Sequence, residues 1–449
     1  MLVGFAGILE WMLGALQGFS MVFLICGMGV YLTFRTRFFQ VRGFPFIFRA
    51  TLGSLLKKDA HKTQEGISPF QAVSTALAGT MGVGNIAGVA TALTLGGAGA
   101  IFWMWVSSFF AMMVKYAEVV LAVRFRERDK GGGWLGGPMY YMENGLGKRR
   151  MAKVFALLCV AGSFGIGNMA QSNAVSGAAM AAFDIPLWVS GIIAANIVAL
   201  VIFGGVKRIA LVAELVIPFI SVAYIAACIF AIARGGDYLG AAVGLIFEQA
   251  FSPGSAVGGV AGYGLISGLR YGVSRGVFTN EAGMGSASIA HAAADCKSPA
   301  HQGGWGIFEV FLDTNAVCTL TGLVLLTAGG GAIWQSGLDG VAMTSAAFVW
   351  VFGSFGANFI AAAVMVYALA GMLGWCFYGE TSVGYLMSRN KRAIHLYRVV
   401  FVGFIFIGAV SELRFVWELT DALNALMVIP NIAAIWLLRR FVKVPGSKK

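Results

Sequence analysis

Ala78-Gly79-Thr80-Met81-Gly82-Val83-Gly84-Asn85-Ile86-Ala87 interrupts one hydrophobic stretch with glycine, and Asn280-Glu281-Ala282-Gly283-Met284-Gly285-Ser286-Ala287-Ser288-Ile289-Ala290 interrupts another in the same way. The two align loosely as Met-Gly-x-x-x-Ile-Ala. A helix in lipid must satisfy its own backbone, so a glycine-rich break at membrane depth persists only where it is buried in protein or lines a cavity. A pair of broken helices, one opening each half of a membrane protein, is the sequence pattern of a transporter's substrate and ion site.

The setting is a membrane. Of 449 residues, 58% are hydrophobic and 12% charged, against about 25% charged in a soluble domain. A spanning helix needs roughly 20 apolar residues. Eleven stretches qualify: about 11–34, 69–96, 98–124, 151–181, 185–204, 208–233, 255–291, 303–328, 355–387, 394–411 and 416–438. The chain therefore reads as an all-α polytopic membrane protein with about 11 transmembrane helices.

The net charge of +12 suggests nucleic acid, but its placement argues for a bilayer. Arg35, Arg37, Arg42, Arg49, Lys57, Lys58 and Lys62 follow the first span, a second basic group runs from Arg124 to Lys153, and others sit at Lys207, Arg208, Lys297, Arg389, Lys391, Arg392, Arg398 and 439–449. These fall on alternate loops. The opposite side carries Arg234 and Arg414 among several acids. The asymmetry places the N-terminus outside and the C-terminus in the cytoplasm of a multi-pass protein of the cell (inner) membrane. Anionic lipid accounts for the basic faces without nucleic acid. The six cysteines show no metal spacing and no pair facing outward, so neither a metal site nor a disulfide is expected.

Residues 1–68 form an extra N-terminal span and a basic cytoplasmic segment. Two five-span blocks follow, 69–234 and 255–440, joined by an external linker at 235–254 and ending in a cytoplasmic tail at 441–449. Five is odd, so the second block enters the membrane from the opposite side, which is an inverted-topology repeat. The Gly131-to-Pro138 loop lacks the Gly-Lys-Ser/Thr ending and preceding strand of a phosphate cradle. Without a clustered nucleophile, metal set or cofactor motif, an enzyme is not expected.

Breaking a helix exposes amide N–H groups at one half-helix start, suited to a carboxylate, and carbonyls at the other half-helix end, suited to a small cation. In the first break, Gly82, Val83, Gly84 and Asn85 are placed to meet a substrate carboxylate, and carbonyls near Ala78 and Met81 to face an ion. The Thr80 hydroxyl and the Asn85 side chain can add ligands. Asparagine is also a favoured cap, and the two roles are compatible. Phe278 and Thr279 lead into the second break, with Phe278 as a pocket wall. Glu281 is costly at membrane depth unless paired or facing water. With Arg275 and Asp313 it makes either a structural ion-pair network or a coupling site. Glu309 and Asp313, a turn apart, allow a proton relay.

Gln171 shares a polar helical face with Asn168 and Ser172; it holds an end of a zwitterion or serves as polar glue between helices. Lys115 and Glu118, neighbours on one face near a cytoplasmic end, read as a structural pair with a snorkelling lysine. Thr381 and Ser382 either complete an oxygen cage for sodium or bond back to their own helix. Trp375 closes the pocket and limits substrate size.

Several segments resemble the alanine or glycine:cation symporters, the sodium:alanine symporter family. They are Ser68-Pro69-Phe70-Gln71-Ala72, Gly84-Asn85-Ile86-Ala87-Gly88-Val89-Ala90, Gly99-Ala100-Ile101-Phe102-Trp103-Met104-Trp105, Lys115-Tyr116-Ala117-Glu118, Gly137-Pro138-Met139-Tyr140-Tyr141, Gly167-Asn168-Met169-Ala170-Gln171, Arg275 to Gly283, and Leu373-Gly374-Trp375. The resemblance covers nearly the whole chain. It implies membership of the amino acid–polyamine–organocation superfamily, with a leucine-transporter-type five-plus-five inverted repeat and one extra N-terminal helix. Gly82-Val83-Gly84-Asn85 is similar to the unwound first core helix of the bacterial leucine transporter, and Gly379-Glu380-Thr381-Ser382 to part of its sodium-binding eighth core helix. The implied substrate site comprises the first break, Gln171, Phe278 and Trp375. The expected activity is alternating-access symport of small neutral amino acids, alanine or glycine, with sodium as coupling ion. No further cofactor and no obligate protein partner are expected. Proton coupling through Glu281 or Asp313 is the alternative within transport, and a passive channel is a second.

Overall fold

A computed structural model describes residues 21–55, 66–129, 132–251 and 263–446. The start of the first expected span (11–20), Lys57, Lys58, His61, Lys62, residues 252–262 and the last three residues lie outside these.

The described chain is helical but for one two-residue hairpin, β1 (Glu127–Arg128) with β2 (Trp134–Leu135), and an isolated bridge between Ile67 and Ala294. After α1 (Met21–Arg35) and three short helices over 39–55 comes the first broken helix: α2 (Pro69–Thr80), a π turn over Gly84–Gly88, and α3 (Val89–Gly96). Then follow α4 (Gly99–Arg124), α5 (Arg149–Phe164), a π turn over Gly165–Met169, α6 (Ala170–Phe183), α7 (Leu187–Ile202), α8 (Gly205–Arg234) and α9 (Leu239–Phe251). The second broken helix is α10 (Tyr263–Asn280) with α11 (Ala287–Ala292). The chain continues through α12 (Pro299–Val310), a π segment over Phe311–Cys318, α13 (Thr319–Thr327), α14 (Gly340–Phe352), α15 (Ser354–Leu386), α16 (Lys391–Val410) and α17 (Leu413–Leu438).

The starts of these helices are written locally. Ser68 and Gln71 form a capping box on α2, with Pro69 in its first turn. Ser298 caps α12, Asp339 caps α14 and Asn390 caps α16.

Among the described residues, seven helical segments are long and apolar enough to cross a membrane, or eight when α2 and the segment Gly84–Gly96, bent by 53°, count as one. Eleven were expected. The remaining three expected spans fall on α1 (15 residues), α7 (16 residues) and the α10–α11 pair. At 1.5 Å per residue, a 16-residue helix covers about 24 Å, short of the roughly 30 Å hydrocarbon core.

α4 packs along α10 and α12, and α15 along α5 and α6. The apolar window of α4 is 83% buried and that of α15 72%, whereas those of α8 and α16 are 33% and 28% buried. α4 and α15 thus lie inside the bundle. Leu211, Leu215, Phe219 and Val222 on α8 face outward, as a lipid-facing helix requires.

Candidate functional site

The two breaks meet. A Cβ placed on Gly84 would lie 2.8 Å from the Thr279 methyl carbon and 3.4 Å from the Phe278 ring, so only glycine admits this approach. α2 ends at Thr80, and Met81 turns extended, with ψ 113°. Asn85 braces the turn from within: its Oδ1 accepts from Gly82 N at 2.9 Å, while its Nδ2 donates to Asp313 Oδ1 at 2.7 Å and Asp313 O at 3.2 Å. Asn85 is therefore a cap within the break, and Asp313 is its anchor. Asp313 Oδ2 accepts in turn from Thr314 Oγ1 at 2.8 Å, and Thr314 Oγ1 accepts from Asn280 Nδ2 at 3.1 Å and lies 3.3 Å from Thr279 Oγ1. One hydrogen-bonded chain thus joins both breaks through the π segment.

The second break runs through left-handed backbone at Glu281 (φ 52°), Gly283 (φ 92°) and Gly285 (φ 81°). Glycine takes this conformation freely; a glutamate there costs about 1–3 kcal/mol. Glu118 Oε1 holds Gly283 N at 2.8 Å, and Asn431 Nδ2 reaches both Glu118 Oε1, at 2.6 Å, and Gly283 O, at 2.8 Å.

Gln171 stands at the first break. A Cβ on Gly82 would be 3.6 Å from Gln171 Oε1, and one on Gly371 would be 3.3 Å from Gln171 Cδ and 3.4 Å from Ala78 O. Gln171 Nε2 donates to Ile166 O at 3.2 Å, but the buried Oε1 has no hydrogen-bond partner. Its expected neighbour Asn168 points elsewhere, to Phe401 O at 2.7 Å, and acts as helix–helix glue.

A cavity of about 990 Å³ opens beside the first break at Val83 and Ala170, next in sequence to Gln171, with Gln171, Phe278 and Thr279 themselves off its wall. Val83, Ala87, Arg275, Ile360 and residues of α14 such as Gly340 and Ser345 line it. Arg275 also lies 5.8 Å from the centre of the Phe278 ring.

Other expected members sit differently. Trp375 is fully buried, with its indole packed on Gly167, where a Cβ would overlap its ring atoms, and near Gly162; it stands among helices rather than on the cavity wall. Thr381 Oγ1 and Ser382 Oγ each donate to a carbonyl of their own helix, Phe377 O and Tyr378 O, both at 2.9 Å. α15 crosses the first break higher up, where a Cβ on Gly374 would be 2.9 Å from Gly79 N. Seven residues further along, Thr381 is displaced by about 10 Å. Ala78, Thr80 and Met81 remain in the break, and the Thr80 hydroxyl donates to Ala76 O at 3.3 Å. Lys115 does not snorkel: it is buried and pairs with Glu309 on α12 at 3.4 Å. Glu309 and Asp313 make no relay here, because Glu309 turns to Lys115 and His291, and Asp313 to Asn85.

Three features escaped the sequence reading. α14 lies between the expected spans 303–328 and 355–387, although a 13-residue apolar run behind an Asp cap is the length of a buried or re-entrant helix. Gly371 is one glycine among many in the sequence. Asn431 lies in an expected span, and only contact geometry marks it.

The profile of the sodium:alanine symporter family matches residues 4–445. The chain is 42% identical over 424 residues to the sodium/alanine symporter AgcS of Methanococcus maripaludis, covering 93% of this chain and 91% of that one. It is 39% identical over 423 residues to the probable sodium/glutamine symporter GlnT of Bacillus subtilis, with 94% and 86% covered. Among solved structures, MhsT in complex with L-phenylalanine superposes with a TM-score of 0.60 at 14% identity, over 86% of this chain and 94% of that one, a likeness of fold.

Proposed function

The chain belongs to the sodium:alanine symporter family, and we propose that it imports small neutral amino acids, alanine or glycine, together with sodium by alternating access. One observation carries this reading: two glycine-broken helices touch at Gly84 and Thr279, beside a buried amide oxygen on Gln171 that lacks a partner. A zwitterion fits such a place. Its ammonium group meets the Gln171 oxygen and break carbonyls, and its carboxylate meets the amides of Val83 and Gly84. Phe278 and Thr279 form the opposite wall, and Trp375 supports the site from behind.

The break carbonyls of Ala78 and Met81, the Thr80 hydroxyl, and Thr381 and Ser382 are the proposed sodium ligands. The last two reach the ion if α15 shifts along the break. Arg275 and Asp313 then serve structure, and Glu281 lies outside the sodium shell. Blocks 69–234 and 255–440 act as inverted repeats behind the added segment 1–68, and eleven helices span the inner membrane with the N-terminus outside. The cavity beside α14 is the outer vestibule. Sodium drives transport by binding one conformation better than the other.

Uptake of radiolabelled alanine into proteoliposomes is expected to require an inward sodium gradient. Equal uptake driven by a proton gradient alone would replace the ion. A second reading, glutamine as substrate, is favoured by the 39% identity to the probable sodium/glutamine symporter GlnT. Competition of labelled alanine uptake by unlabelled glutamine separates the two.

A further inference from the structure

On the far side of the second break from Thr279 lies a charged cluster that the substrate site does not use. Lys115 and Glu118 on α4, Glu281 in the break, His291 on α11 and Glu309 on α12 are each at most 1% exposed. Lys115 Nζ is 3.4 Å from Glu309 Oε1, and His291 Nε2 is 2.8 Å from Glu309 Oε2. Lys115 is also within electrostatic reach of Glu118 and Glu281. Gln302 Nε2 lies 2.8 Å from His291 Nδ1. An amide nitrogen only donates, so Nδ1 accepts, Nε2 carries the ring proton, and the imidazole is neutral.

Two carboxylate oxygens are left over. Glu118 uses Oε1 for Gly283 N and Asn431 Nδ2, and its Oε2 has no hydrogen-bond partner. Glu281 uses Oε2 for Ser286 Oγ, at 2.5 Å, and its Oε1 has none; the Trp375 indole N–H approaches without closing a bond.

The charges do not balance. With Glu118, Glu281 and Glu309 all ionised, one ammonium faces three anions in a buried, membrane-embedded site. Turning the Gln302 amide over would create an imidazolium and still leave the cluster negative. Among the described residues, the groups facing it from neighbouring elements supply no cation: Asp313 beyond Glu309, Tyr141, Tyr378 on α15, Cys159 on α5 and Asn431 on α17. Uncompensated buried charge is expelled or neutralised. A metal cation is a poor remedy, because hard cations take many oxygen ligands. Here two free oxygens sit among the N–H donors of Gly283, Asn431, Trp375 and Lys115.

We propose that this cluster is a proton-binding site, at Glu118 or Glu281, occupied by at least one proton per chain in the conformation described. Its occupancy follows the second break. Glu118 is held by the Gly283 amide, so displacement of α11 strips that bond and admits water. The two conformations then bind the proton with different affinity, and pH biases the transport cycle separately from sodium. The inference is independent of which amino acid is carried.

Infrared spectroscopy of the purified full-length protein at neutral pH tests it. A non-ionised carboxyl C=O band is expected, and it should shift when the protein is labelled with carbon-13 at glutamate side-chain carboxyls. The band should persist in Asp313→Asn and be lost in Glu118→Gln or Glu281→Gln, whose side chains mimic a neutral acid. The labelled wild-type protein assigns the band to a glutamate, and the two glutamine variants assign it to Glu118 or Glu281; a band that survives both variants overturns the proposal. Absence of the band, or a band that glutamate labelling leaves unshifted, overturns the proposal.

Discussion

Gly84 and Thr279 touch across the two breaks: a Cβ on the glycine would sit 2.8 Å from the threonine methyl. The contact is with the β-branched Thr279 side chain, whose Oγ1 is 2.9 Å from Gly276 O and 3.3 Å from Thr314 Oγ1, so moving the methyl aside breaks those contacts. Overpacking of this kind costs about 1–3 kcal/mol. Gly84→Ala is expected to leave a folded protein, by size-exclusion profile and melting temperature within a few degrees, but to lower sodium-driven alanine uptake at least tenfold. Wild-type uptake by this variant would remove the junction from the transport site.

Gln171 offers the unpartnered oxygen. Removing one hydrogen-bonding group from a ligand site costs about 1 kcal/mol, or roughly fivefold in affinity. Gln171→Ala should therefore weaken alanine binding by at least that factor in calorimetry with the fold intact, and unchanged affinity would exclude the residue. Gln171→Glu keeps an acceptor facing the break. It should bind alanine better than the alanine variant does.

What the sequence disclosed follows from which signals are local. Both breaks were legible because glycine in an apolar run has a local physical meaning. Gln171 was legible because a polar face at helical spacing must turn inward. The charged residues were read less well. Lys115 and Glu118 are visible neighbours on one face, but Lys115 takes Glu309 as its partner and Glu118 takes Asn431 and Gly283, all distant in sequence. Trp375 was identifiable as a large residue near the site, yet its seat on Gly167 depends on how the π turn after α5 crosses α15.

That seat changes the expectation for substrate size. Trp375 is enclosed, so Trp375→Ala opens a cavity inside the bundle at a cost of about 3–5 kcal/mol. A marked fall in melting temperature should accompany any gain in larger substrates. Gly371 is the better candidate for a size filter, one turn earlier and against Gln171 and Ala78 O. Gly371→Val should reduce alanine uptake more than glycine uptake, by roughly tenfold in the ratio, which equals about 1.4 kcal/mol of discrimination. An unchanged ratio in paired uptake assays would place the size limit elsewhere.

Thr381 and Ser382 separate sodium binding from helix geometry. Their hydroxyl protons are committed to Phe377 O and Tyr378 O, but the oxygen lone pairs can still accept a cation. If they ligate sodium, Thr381→Val and Ser382→Ala each raise the sodium concentration for half-maximal uptake by about tenfold, for a lost ligand worth roughly 1–1.5 kcal/mol. Alanine affinity at saturating sodium should hold. If they only bend α15, the sodium dependence stays at its wild-type value.

Asp313 distinguishes a bracing carboxylate from a coupling one. Its two oxygens accept from Asn85 Nδ2 at 2.7 Å and Thr314 Oγ1 at 2.8 Å. In Asp313→Asn, the side-chain oxygen keeps Asn85, and the amide faces a threonine hydroxyl that can rotate to accept it. The brace on Asn85, and through it the Gly82 amide, survives without the charge. Asp313→Ala removes both carboxylate bonds and leaves the buried Asn85 amide only the backbone carbonyl of residue 313 at 3.2 Å and Cys318 Sγ at 3.4 Å, a loss of about 1–3 kcal/mol for the charge-assisted bond. Sodium-driven uptake should stay within about threefold of wild type in Asp313→Asn, a margin below 1 kcal/mol, and collapse in Asp313→Ala. Loss of uptake in both variants, with folding intact in Asp313→Asn, would mean that the negative charge itself takes part in coupling.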